Sequence, residues 1–159
     1  MTHDLRDVPA DVDPRVVALN ATQEELLPSH RAAYRPDHPD YAIARAKDPI
    51  GKLLNGELVG PLLAASRMAV VDGRIVGAAI LNAFPGDPPS AGPWLSELFR
   101  DPAVPGVGRA LLRGAITAAA ADGLPALGLV VSGGNPAGDL YLQEGFETVR
   151  EDISVTMPG

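Results

Sequence analysis

The 159-residue sequence predicts an α/β fold with a mixed central sheet flanked by helices. Two observations carry that prediction. Met68-Ala69-Val70-Val71 and Arg74 to Leu81 are apolar runs joined by Asp72-Gly73, a pair that tolerates the positive φ of a tight antiparallel hairpin. Trp94 to Val131 reads as strand, Pro/Gly turn, Ala/Leu-rich helix and second strand. Two apolar strands joined through a helix imply a parallel, right-handed crossover, and a hairpin beside a crossover makes the sheet mixed. The length suits one domain, residues 1–159, with enough chain to bury a proper core.

Composition narrows the function classes. With 46% hydrophobic and 21% charged residues the chain is expected to be folded and soluble rather than disordered, and its 17 glycines and 16 prolines predict many turns and short helices. A formal charge of −7 disfavours nucleic acid and anionic membrane as partners and favours a cationic amine. Having no cysteine, the chain has no disulfide, thiolate metal site or cysteine nucleophile. Its three histidines lack helical i, i+4 spacing, so no metal site is expected. Met1 to Arg6 lacks the basic start and apolar core of a signal peptide, and the nearly apolar run Leu124 to Val131 is too short to span a bilayer. A cytoplasmic location is the expectation.

In chain order, Asp13-Pro14 predicts a helix start carrying Val16, Val17 and Leu19. Thr22-Gln23-Glu24-Glu25 is a capping-box pattern that begins a second helical piece, kinked or restarted at Pro28 and running toward Arg35. Tyr41 to Lys47 reads as a short helix capped by Asp40, and Asp48-Pro49 opens another turn or two that stops at Asn55-Gly56. After the hairpin, Phe84 to Pro93 carries four prolines and reads as an irregular connection or a flap. A helix from about Arg109 to Ala121 should turn Leu111, Leu112, Ala115, Ile116 and Ala119 to the sheet and end at Gly123. Ala126 to Val131 is a buried strand, and one or two closing strands follow Glu147.

The chemistry is expected where the first strand of the crossover meets its helix. Gly106-Val107-Gly108 lets consecutive amides converge without Cβ interference, and the helix that follows adds a partly positive N-terminus. Such a turn suits a phosphate or pyrophosphate. The string from Glu97-Leu98-Phe99-Arg100-Asp101-Pro102 through Gly106-Val107-Gly108-Arg109-Ala110-Leu111-Leu112 resembles the acyl-CoA signature of the GNAT N-acetyltransferase superfamily. A second stretch, Asn135-Pro136-Ala137-Gly138-Asp139-Leu140-Tyr141-Leu142-Gln143-Glu144-Gly145-Phe146, resembles that family's later motif, with Ala137, Leu140, Tyr141, Gly145 and Phe146 in register and Asn135 one residue late. There are two departures. Arg100 stands where the family prefers Val, and the loop is about two residues short, with Ala103 in place of the usual Arg or Gln. Arg109 or Arg113 is the expected compensation.

The resemblance implies a GNAT-like fold, a mixed central sheet of about six or seven strands flanked by helices, with acetyl-CoA as cosubstrate and an amine of a small molecule or peptide as acceptor. The backbone of Leu98, Phe99 and Arg100 would pair with the pantetheine arm as an added strand. The amides of Gly106, Val107, Gly108, Arg109 and Ala110 would hold the pyrophosphate, with Asn135 also on the cofactor. Glu97 would act as general base, since an alkylamine with a pKa near 10 is about three units too protonated at pH 7 and must lose a proton first. Tyr141 would protonate the departing thiolate, while Tyr34, His38 and Tyr41 would lie near the acceptor. Three readings stay open from sequence: an N-acetyltransferase, a GNAT-like module that senses acyl-CoA or has lost it, and a generic phosphate-binding α/β protein. A homodimer is compatible with each.

Overall fold

A computed structural model describes residues 1–6, 8, 13–37, 50–85, 92–131 and 135–148. The expected helix Tyr41 to Lys47, its cap Asp40, His38 and most of the proline-rich connection lie outside these residues. So do the closing strands beyond Thr148.

Six strands form one sheet: β1 (Thr2–Asp4), β2 (Val16–Ala18), β3 (Arg67–Val71), β4 (Arg74–Phe84), β5 (Gly92–Arg100) and β6 (Ala126–Gly128), in the spatial order β1-β6-β5-β4-β3-β2. Every neighbouring pair is antiparallel except β5 and β6, the mixed sheet the sequence predicts. Four helices are described: α1 (Gln23–Ala33), α2 (Ile50–Leu54), α3 (Val107–Ala121) and α4 (Ala137–Gln143). None of the described helices is long and apolar enough to cross a membrane.

β4 is the structural centre. Val76, Ala78, Ala79, Ile80 and Leu81 are all buried, so both faces of the strand are covered. Val76, Ala79 and Leu81 join the core on the α3 and α4 side, whereas Ala78 and Ile80 join a second cluster with Leu26 of α1 and Ile50 and Leu53 of α2. The hairpin between β3 and β4 turns at Asp72 (φ 52°) and Gly73 (φ 75°), the paired positive angles of a type I′ turn. The five residues expected on the inner face of α3 are all buried. Each of its two core leucines contributes roughly 1.5–3 kcal/mol by leaving water.

Three local expectations need correction. Asp13-Pro14 opens no helix: the Asp13 carboxylate accepts from the Arg15 amide at 2.9 Å, and Val16 to Ala18 pair with β3 as β2. A side chain that caps helices also closes Asx turns, and the β-branched Val16 and Val17 then favour extension. Of the two outcomes expected at Pro28, a kink or a restart, the restart does not occur: α1 runs through it from the capping box formed by Thr22 and Glu25. β6 stops at Gly128 instead of reaching Val131.

Candidate active site

β5 pairs with β4 along its whole length but touches β6 in one register only, Trp94 with Gly128. Past that point the two strands part. The outward backbone groups of β5 from Leu95 to Arg100 therefore have no strand partner on the β6 side among the described residues, as at a sheet edge. The pairing of β5 with β4 also shifts register between Ile80/Leu81, where Glu97 and Leu95 are the partners, so that Ser96 is an extra residue. Such a bulge disrupts the ladder and aims backbone groups away from it. Ser96 Oγ is buried with no hydrogen-bond partner among the described residues.

The gap is a cleft of about 580 Å³. Leu95 to Arg100 form one wall, and Val130, Val131, Asn135 and the α4 residues Ala137, Leu140 and Tyr141 form the other. Gly106, Gly108 and Arg109 close one end, and Ala33 and Tyr34 of α1 also reach it.

Glu97 faces the α1 side, where the Tyr34 hydroxyl donates a hydrogen bond to its Oε1. Tyr34 closes α1, and its ring lies 4.7 Å from that of His30, which meets Phe99 edge-on at 5.0 Å. Tyr141 enters from α4, buried to 8% exposure against Phe146. Burial first, and then the nearby negative charge of Glu97, push its phenol up to about 12. Both effects penalise phenolate, so Tyr141 carries its proton throughout the neutral range.

At the other end, Asp101 shapes the approach to α3: its carboxylate accepts from the Ala103 amide at 3.0 Å, and its carbonyl accepts from Val104. Gly106 then takes φ +76° as N-cap and offers no side-chain cap. Helix geometry leaves the N–H groups of Val107, Gly108 and Arg109 without intrahelical acceptors. The helix thus starts two residues before the expected Arg109. Val107 points its side chain into the core, so only its backbone serves the turn, and Ala110 lies just inside the helix. Asn135 Oδ1 accepts from the Ala137 amide at 3.0 Å and organises the first turn of α4.

Arg109 and Arg113, the expected compensators for the missing loop cation, are both held by Glu144. Arg109 Nη1 binds Oε1, and Arg113 Nε binds Oε2 at 2.7 Å. Burial pulls the Glu144 carboxyl up, but the Arg113 and Arg109 guanidiniums outweigh it and hold it below the usual carboxylate range. This clamp ties α3 to the end of α4. No motif marked Glu144, Ser96 or the Tyr34–Glu97 bond in the sequence, although the unusual Arg at position 100 is a visible signal.

No family model matches the chain, and no curated protein sequence matches it. Solved structures match it in shape. PaiA N-acetyltransferase from Thermoplasma acidophilum, in complex with coenzyme A, is 17% identical with a TM-score of 0.61, over 86% of this chain and 92% of its own. The aminoglycoside N-acetyltransferase AAC(6')-Iy, in complex with CoA, is 18% identical with a TM-score of 0.56, over 91% and 99%. A transcriptional regulator from Bacillus halodurans C-125 is 18% identical with a TM-score of 0.63, over 89% and 99%. The fold is that of the GNAT N-acetyltransferases.

Proposed function

We propose that the chain is a GNAT acetyltransferase that moves the acetyl group of acetyl-CoA directly to an amine of a small molecule or peptide. The observation that carries this reading is the fork between β5 and β6. It joins a strand edge with no strand partner among the described residues, a carboxylate, a protonated phenol and a helix N-terminus in one cleft. An acyl-pantetheine arm needs backbone partners along its amides and a dipole at its pyrophosphate, and the cleft offers both. Gly106, with no Cβ and φ +76°, lets a ligand approach the turn closely.

In this reading Glu97, steadied by Tyr34, accepts the proton of the ammonium, directly or through water. The neutral nitrogen forms the N–C bond as the C–S bond breaks, and the proton that the acylated nitrogen still carries passes to solvent, leaving the neutral amide. A β5 amide freed at the bulge donates to the carbonyl oxygen as negative charge develops there. Tyr141 gives its proton to the departing sulfur and is reprotonated from solvent. A phenol that is firmly protonated at neutral pH is available for that role, and thiolate release needs a donor.

The second reading, a sensor that binds acyl-CoA without catalysis, is favoured by the uncharged Ala103 in the loop. The similarity in shape to a transcriptional regulator also supports it. Titrating CoA while following thermal unfolding tests binding: a rise in Tm is expected, and a constant Tm would overturn both readings. Thiol release from acetyl-CoA with a panel of amines then separates enzyme from sensor.

A further inference from the structure

We infer that the Arg100 guanidinium supplies the pyrophosphate of the bound acyl-CoA with the charge that an Arg or Gln at position 103 would otherwise provide. This rests on the acyl-CoA reading above and adds a side-chain ligand to it.

Each of the other cations around the turn has a carboxylate partner, with Glu144 shared between two of them. Arg109 and Arg113 belong to Glu144, Arg15 pairs with Asp13 at 2.9 Å, and Arg74 reaches Asp101 at 3.4 Å. Arg15 also donates to the Pro105 carbonyl at 3.4 Å, fastening the turn from behind. Arg100 differs from all of them. It lines the cleft, its side chain is exposed, and no carboxylate among the described residues pairs with it. The exception carries weight in a chain where 20 acidic residues face 13 basic ones.

Its position is also specific. Arg100 ends β5, and its side chain lies across the first turn of α3: a Cβ at Gly108 would stand 3.1 Å from Arg100 Cδ and 3.3 Å from Nε. A positive side chain over the positive end of a helix is an unfavourable arrangement until an anion sits between them. Guanidinium is the side chain best shaped to bind phosphate oxygens in pairs. Position 100 therefore holds a charge the family's pattern does not call for, while position 103 lacks the one it does, and the fold brings the first to the turn that the second has left bare.

Calorimetric titration of CoA, 3′-dephospho-CoA and pantetheine into wild type, Arg100→Gln and Arg100→Lys tests this. Arg100→Gln should weaken CoA and 3′-dephospho-CoA alike by about ten- to a hundredfold, the scale of one charge-assisted hydrogen bond, and leave pantetheine unchanged. Arg100→Lys should fall between, since it keeps the charge and loses the fork. Undiminished CoA affinity in Arg100→Gln would overturn the inference while leaving the acyl-CoA reading intact. A loss that disappears with 3′-dephospho-CoA would move Arg100 to the ribose phosphate and overturn the pyrophosphate assignment. An equal loss for pantetheine would reduce Arg100 to a packing role. If wild type binds no CoA, the acyl-CoA reading itself fails.

Discussion

Tyr141 and Glu97 influence each other through their charges. The carboxylate raises the cost of phenolate, and burial raises it further, so Tyr141 holds its proton throughout the neutral range and has one to give. Its folded pKa lies above the ordinary value of 10, so the stability linked to this proton is fully present below pH 10 and is lost as pH rises toward 12. Tyr141→Phe should therefore show a shallower loss of stability than wild type between pH 10 and 12, by roughly 2–3 kcal/mol, in urea unfolding at stepped pH. The same variant should slow turnover with little change in CoA affinity, and unchanged turnover would remove Tyr141 from the acid role. Glu97→Gln should abolish the limb of the rate profile that rises with pH as the base ionises. An identical profile would assign the base to another group.

At the scale of elements, α3 and α4 meet through Glu144, whose side chain is 8% exposed while its two arginines are about half exposed. Glu144→Gln lets those arginines return to water, so a cost of about 1–2 kcal/mol at neutral pH is expected in urea unfolding. Because the Glu144 pKa is depressed, its contribution is present above the ordinary carboxylate pKa and fades as pH falls through the lowered one. The difference between variant and wild type should shrink in acid.

What the sequence discloses follows from the same distinction between near and far. The β3–β4 hairpin and α3 are legible because Asp72-Gly73, Gly106 and Gly123 act on their immediate neighbours, and the Thr22 box is legible for the same reason. β1 and β2 are three residues each and depend on partners far along the chain, with Thr2 against Gly128 and Val16 against Ala69. Strands that short carry no periodicity to read. At the candidate site, Glu97 and Tyr141 stand out by their motifs. The Tyr34 bond to Glu97 spans 63 positions and the Arg109 clamp 35, so both appear only once the chain is folded.

For the whole molecule, the sheet is two pieces held at one parallel register. β1 and β6 form the smaller, β5 to β2 the larger, and α3 packs across the join. At the apex the Trp94 ring lies so close to Gly128 that a Cβ there would stand 2.7 Å from it. Gly128→Ala should force the indole aside at a cost of about 1–3 kcal/mol, measurable by urea unfolding. Because it changes the fork's opening without touching the cleft walls, it should also alter CoA affinity. Unaltered affinity would show that the fork's width is not what the ligand reads.

Trp94 is the single tryptophan of the chain. The fold has set its one strong fluorophore at the point where the strands begin to diverge. Its emission should follow whatever wedges between them, so the protein carries its own optical gauge and needs no attached dye.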